Sequence, residues 1–192
     1  MTETRVEIVV TVPEELPRDL LIPTAMRTTL GVLVELIVES SNRVVLASPF
    51  LQLESICRGP LGLALGTAAA RGVLIDVVSM GGHMMELDMV ALSPQRSPMT
   101  VRVSHPKPNL VNSEVMGSHA KFCLVDGAAA YIGSDNFTEN GLTKHFELGT
   151  LVRGQAATDL WSVVVRLFHE GFFVPCGWLH IDDARRQYRP GT

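Results

Sequence analysis

An imidazole, an ammonium, a hydroxyl and a carboxamide stand close together in this chain. His119 and Lys121 lie in the run HAKFCLVD (residues 119–126), and Ser134 and Asn136 in the run GSDN (residues 133–136). On a β-strand, residues two apart project from the same face. His119 and Lys121 would therefore point together, and so would Ser134 and Asn136 if extended backbone persists there. Four polar groups of these kinds are what phosphoryl transfer requires: one group to attack, and cationic and neutral donors to stabilise charge on the equatorial oxygens. No carboxylate cluster suited to Mg²⁺ accompanies them in sequence, so this reading calls for no metal and no cofactor.

Two carboxylates flank the constellation. By parity Asp126 falls on the opposite side of the strand from His119, which suits it to supporting the turn at Asp126-Gly127 rather than touching substrate. Glu147 sits in an apolar strand-like run, FELGTLV, where an unpaired carboxylate would be costly. A partner is expected, and His119 is the candidate. A carboxylate on one ring nitrogen fixes the tautomer and leaves the other nitrogen free to attack.

These groups need a scaffold, and the chain reads as alternating strands and helices. Residues 5–12 form a β-branched strand stopped by Pro13 and Pro17, an edge strand or an exchanged arm. From Thr24, a possible cap, a helix runs to residues 40–42 with Leu30, Val34, Ile37 and Val38 at helical spacing. A strand over 43–50, an Ala-rich helix over 62–71 closed by Gly72, and a strand over 73–79 make a βαβ unit. A crossover helix over 84–92 and a strand over 99–103 follow. Residues 104–118 are a Pro- and Asn-rich loop of a length that usually carries function. Strands over 119–125, 129–132 and 146–152, the first two joined as a hairpin, precede an amphipathic helix over 156–169. No internal repeat is present. The expected fold is a single α/β domain over 1–192, with a mixed, mostly parallel sheet and helices on both faces. Its ends are an N-terminal strand or arm over 1–23 and a polar C-terminal tail over 175–192.

Composition narrows the partners. Of 192 residues, 46% are hydrophobic and 19% charged, which fits a folded globule. Sixteen Lys and Arg against twenty Asp and Glu give a net charge of −4, which excludes a uniformly basic nucleic-acid-binding face but not a local basic site. The most apolar run, residues 30–38, contains Glu35 and is far short of the ~20 residues of a membrane span, so no integral membrane segment is expected. The first residues lack a basic-then-apolar leader, and a cytoplasmic location is expected. Cys57, Cys123 and Cys176 are widely spaced and odd in number, suiting neither a disulfide framework nor a metal knuckle, and Cys123 reads as core.

At these residues the chain resembles the phospholipase D superfamily. His119, Lys121 and Asp126 match its HxKxxxxD signature, and Gly133, Ser134 and Asn136 match the GSxN that follows. Glu147 takes the place of the carboxylate that pairs with the histidine in the small bacterial nucleases of that superfamily. The run HFELGTLVRG and the single-motif layout are also similar to the phospholipase D-like component of the DISARM antiphage system. The resemblance implies a phospholipase D-like fold and catalysis by His119, Lys121 and Glu147. It further implies phosphate binding by Lys121, Ser134 and Asn136, with Asp126 and Gly133 as structural parts of the motif. Members need two such motifs per site, because one histidine attacks phosphorus and another protonates the leaving oxygen. This chain has one: His105-Pro106-Lys107 carries Asn112 at the Asp position and no GSxN follows, and His83, His145, His169 and His180 lack a Lys two residues on. A homodimer sharing one site across a two-fold axis is therefore implied.

Other residues carry weaker signals. Lys107, Asn109 and Asn112 form a possible substrate loop, with a solvated loop as the plain alternative. His83 with Met84, Met85, Glu86 and Asp88 matches no ligand spacing and reads as a loop entering a Met-filled core. Arg185, Arg186 and Arg189 read as a solvated terminus, and Trp161 and Phe168 as core. The leading expectation is a metal-independent phosphodiesterase, a nuclease, working through a phosphohistidine and binding nucleic acid, with other subunits of a defence system as further partners. The alternatives are a lipid enzyme of the phospholipase D or cardiolipin synthase kind, and a catalytically silent nucleic-acid-binding subunit of a defence complex.

Overall fold

The computed structural model describes residues 3–13, 26–79, 92–93, 100–107 and 118–181. In chain order the elements are β1 (Arg5–Thr11), α1 (Thr29–Glu39), β2 (Arg43–Ser48), α2 (Leu53–Cys57), α3 (Gly59–Ala70), β3 (Leu74–Ser79), β4 (Leu92–Ser93) and β5 (Thr100–Pro106). They continue with β6 (Phe122–Val125), β7 (Ala129–Gly133), α4 (Glu139–Thr143), β8 (Glu147–Arg153), α5 (Gln155–His169) and β9 (Phe173–His180).

Among the described residues the strands form one nine-stranded sheet in the order β1-β8-β7-β6-β2-β3-β5-β9-β4. The α/β class and mixed sheet agree with expectation, but the sheet is not mostly parallel. Only β2–β3 and β3–β5 run parallel, while β1–β8, β7–β8, β6–β7, β2–β6, β5–β9 and β4–β9 are antiparallel. The βαβ unit accounts for the parallel centre. On the flanks β6–β7 is a hairpin, while β1–β8, β2–β6, β5–β9 and β4–β9 join strands far apart in the chain.

The polar tail expected over 175–192 also needs correction. Residues 173–180 are β9, inserted between β5 and β4, and Leu179 and Ile181 are core residues. Its Pro175 lies where pairing with β5 shifts between Val103 and Ser104, an irregularity at which a missing N–H is tolerated. The N-terminal strand is an edge strand, paired with β8 on one side and bridged at Val9 to Arg27 on the other. The Thr24 cap, the helix over 84–92 apart from Leu92, residues 108–117 and the terminal arginines fall outside the described residues.

In α1 the cap is Thr28, whose hydroxyl accepts the Gly31 N–H at 3.2 Å. The buried stripe is Val32, Leu33, Leu36 and Ile37, rather than one through Leu30, Val34, Ile37 and Val38; Val38 is exposed. The helix is apolar around most of its circumference, so periodicity alone does not choose the face.

Helices α1 and α3 cover one sheet face, built from Val44, Leu46, Ile75, Val77, Cys123 and Tyr131. Helix α5 covers the other, built from Val45, Ala47, Val78, Phe122, Leu124 and Ala130. On that second face the fully buried Asp76 takes Arg43 at 2.8 Å and also binds Arg102. Trp161 and Phe168 of α5, half-buried, lie against the Arg43 guanidinium at 5.9 and 4.9 Å from their ring centroids. Ile8, Ile132 and Leu148 remain exposed.

Register fixes which strand ends meet. Ala47 pairs with Phe122, Phe122 with Ile132, and Gly133 with Gly149. The C-terminal ends of β2, β3 and β7 and the N-terminal ends of β6 and β8 therefore share one end of the sheet. Open α/β sheets commonly place their sites there.

Candidate active site

Strand β6 begins at Phe122, so His119 and Lys121 lie on the segment leading into it rather than within a strand over 119–125. They meet as parity requires. The Lys121 Nζ is 3.2 Å from His119 Nδ1 and donates to the His119 carbonyl, also at 3.2 Å. Lys121 is buried and His119 exposed. Burial pushes the Lys121 ammonium below its ordinary pKa, and the charge of Glu147 works against that shift.

Strand β7 ends at Gly133, and the two polar residues beyond it diverge. The Ser134 hydroxyl donates to a Glu147 carboxylate oxygen and accepts the Leu148 N–H at 3.2 Å. Asn136 turns toward β2, where its Oδ1 lies 3.4 Å from the Ser48 hydroxyl. Ser48 in turn donates to the Phe50 carbonyl at 2.7 Å and accepts the Phe137 N–H at 3.2 Å. Ser48, at the C-terminal end of a parallel strand, was not singled out from sequence; its position at the end of the run RVVLAS was the available signal.

A buried polar network underlies this loop. Tyr131 of β7 donates to Asp135, and its hydroxyl lies 3.2 Å from Thr29 of α1. Burial raises the pKa of the Asp135 carboxyl. Gly133 and Gly149 make room for the tyrosine: a Cβ at either would fall within 2.0 and 2.5 Å of its hydroxyl. A strand residue needs to be glycine where another side chain passes this close.

Asp126 lies away from the site. In the left-handed region at φ 54°, followed by Gly127 at φ 70°, it turns the β6–β7 hairpin. Its carboxylate accepts the backbone N–H groups of Ser41, Asn42 and Arg43 at 2.7, 3.0 and 2.7 Å, tying the hairpin to the start of β2.

Glu147 departs from the expected pairing. Its partners are the Ser134 hydroxyl and, at 3.9 Å, Nδ1 of His145, while His119 Nδ1 is met by Lys121. His145, set aside in the sequence for lacking a Lys two residues on, thus belongs to this cluster. Lys107 follows β5 directly, with an exposed side chain and its N–H donating to the Phe172 carbonyl at 2.7 Å. Asn109 and Asn112 fall outside the described residues. The arrangement offers two exposed imidazoles, His119 and His145, one buried cation, a hydroxyl and an amide around the end of the sheet, with the Glu147 carboxylate in contact with the hydroxyl and near His145.

A family model described as "Cardiolipin synthase, PLD-like domain" matches residues 33–168, the span that contains His119, Lys121, Asp126, Ser134, Asn136 and Glu147. The chain belongs to this PLD-like family. A curated relative, DISARM protein DrmC of Bacillus paralicheniformis (strain ATCC 9945a / NCIMB 11709 / CD-2), is 24% identical over 178 residues, covering 92% of this chain and 68% of DrmC. Among solved structures, NucT from Helicobacter pylori superposes with a TM-score of 0.60 at 16% identity, over 90% of this chain and 99% of that one. The phospholipase D family member Nuc from Salmonella typhimurium gives 0.56 at 18%, over 90% and 98%. Phosphatidylserine synthase of Haemophilus influenzae Rd KW20 gives 0.58 at 12%, over 94% of this chain and 41% of the enzyme. At these identities the structures speak for the fold. No helix among the described residues is long and apolar enough to cross a membrane.

Proposed function

We propose that this PLD-like chain is a metal-independent phosphodiesterase, a nuclease, acting through a covalent phosphohistidine on His119 in a site shared by two copies of the chain. The observation that carries this reading is the His119–Lys121 pair at 3.2 Å beside the Ser134–Glu147 contact, at one end of the sheet. Nε2 of His119 attacks phosphorus; the new P–N bond forms as the P–O bond to the leaving group breaks. The protonated His119 of the second copy gives its proton to the departing oxygen. Water then attacks phosphorus, that same histidine takes a proton from it, and the P–N bond breaks to release the phosphomonoester. Lys121, Ser134 and Asn136 hold the non-bridging oxygens as charge develops there. Glu147 accepts the Nδ1 proton of the attacking ring once it turns from Ser134 to His119. These side chains supply the charge stabilisation for which other phosphodiesterases use a metal ion.

Purified protein in EDTA should turn over bis(p-nitrophenyl) phosphate and cleave at least one of plasmid DNA, single-stranded DNA and RNA. His119→Ala should abolish both. Strong inhibition by EDTA with rescue by Mg²⁺ would overturn the phosphohistidine mechanism.

The likeness to DrmC favours a second, compatible reading of setting: the nuclease works in the cytoplasm beside other subunits of an antiphage system. If the isolated chain binds nucleic acid but turns over neither reporter nor polymer, it is the silent subunit of such a complex. Turnover of phospholipid vesicles with no action on nucleic acid would instead assign a lipid substrate.

A further inference from the structure

An imidazole that attacks through Nε2 needs its proton on Nδ1, and that proton needs an acceptor. The charge of Glu147 acts on Lys121, which meets His119 Nδ1 at 3.2 Å. Asp135 is fully buried and turned inward to Tyr131, so Glu147 is the one able to serve. It is engaged elsewhere: one oxygen takes the Ser134 hydroxyl and the other lies 3.9 Å from His145 Nδ1. His145 is placed there by the chain reversal after α4, where its N–H donates to the Asn140 carbonyl at 2.8 Å, two residues before Glu147 at the start of β8. Its side chain is 60% exposed and that of Glu147 only 14%, so the imidazole approaches the carboxylate from solvent.

From this geometry we infer that His145 is a positioning residue of the site, competing with His119 for the Glu147 carboxylate. The inference rests on the proposed role of Glu147. At 3.9 Å the attraction is ionic, so it acts while His145 is protonated and fades once the imidazole is neutral. Protonated His145 holds Glu147 on the solvent side; neutral His145 releases it toward His119. The other groups around the carboxylate are Lys121 ahead of β6, Ser134 and Tyr131 from β7 and its end, Asp135 behind them, and Thr11 opposite it on β1. Lys144 and Glu139 of the α4 region are paired with each other at 2.6 Å. Of the groups contacting the carboxylate among the described residues, His145 is the one imidazole.

The test follows the His119 C–Hε1 resonance through a pH titration of the full-length protein. A carboxylate beside an imidazolium favours the charged ring. Replacing His145 by Asn frees Glu147, and the His119 resonance should then titrate at a higher pH than in the wild type. His145→Lys, which keeps the charge, should leave His119 near its wild-type value. In a Glu147→Gln background, His145→Asn should have no further effect, which separates action through the carboxylate from direct repulsion between two imidazoles. An unchanged His119 pKa in His145→Asn, or the same rise with Glu147→Gln present, overturns the inference. The titration needs no turnover. A protein inert toward every diester but showing these shifts keeps His145 in its role and sinks the enzymatic reading, while turnover without the shifts does the reverse.

Discussion

Lys121 shows how a buried cation works against the fold. Its ammonium is buried at the end of the sheet, with its pKa lowered by burial and partly restored by Glu147. A base whose folded pKa lies below its unfolded value favours folding fully only above the unfolded value, about 10.4. That contribution is lost as pH falls through the folded value, so at neutral pH the charged side chain costs stability. Lys121→Met should accordingly slow reporter turnover on the order of 10²-fold or more. It should also raise the melting temperature at pH 7, each 1 kcal/mol gained being worth about 2–4 °C in a chain of this size. Differential scanning calorimetry beside a rate assay checks both. A variant that loses activity and also melts lower would mean that Lys121 has a structural role the pairing with His119 does not reveal.

At the scale of elements, the motif's aspartate belongs to architecture. Asp126 gathers three backbone N–H groups from the segment entering β2, and β2 carries Ser48 beside Asn136. Removing the carboxylate leaves several donors short of a partner, at about 1–3 kcal/mol for each that water cannot reach. Asp126→Ala should therefore lower the urea midpoint and reduce turnover only in proportion to unfolding. Asp126→Asn, which tolerates the left-handed turn and keeps one acceptor oxygen, should lose less. Most of this was legible beforehand, because the DG turn, the alternation and the i, i+2 parity of His119 and Lys121 are local signals. What escaped the sequence was non-local. Strand β9 carries Pro175 and Gly177, types that strands disfavour, and the irregular pairing with β5 accommodates the proline. The antiparallel flanks of the sheet are set by which edges the chain returns to, and no periodicity encodes that. The diversion of Glu147 to Ser134 and His145 depends on side-chain competition at a strand end, which spacing cannot rank.

For the whole molecule the decisive count is one. The chain has a single complete HxKxxxxD–GSxN motif, and displacement at phosphorus in two steps uses one group to attack and another to protonate. If two copies share a site, each contributes one His119 near a two-fold axis, and the pair forms one working centre. Mixing His119→Ala protein with wild type and allowing subunits to exchange would then give three species. Only the wild-type pair holds both imidazoles; a hybrid can attack without protonating, or protonate without attacking. Under random pairing, activity should fall as the square of the wild-type fraction, and light scattering should report a dimer throughout. Independent sites would instead give a linear fall, and a monomer by scattering would remove the shared site altogether. In that case the second proton donor must come from within the chain or from another protein, and a hetero-oligomer with a different subunit becomes the arrangement to test.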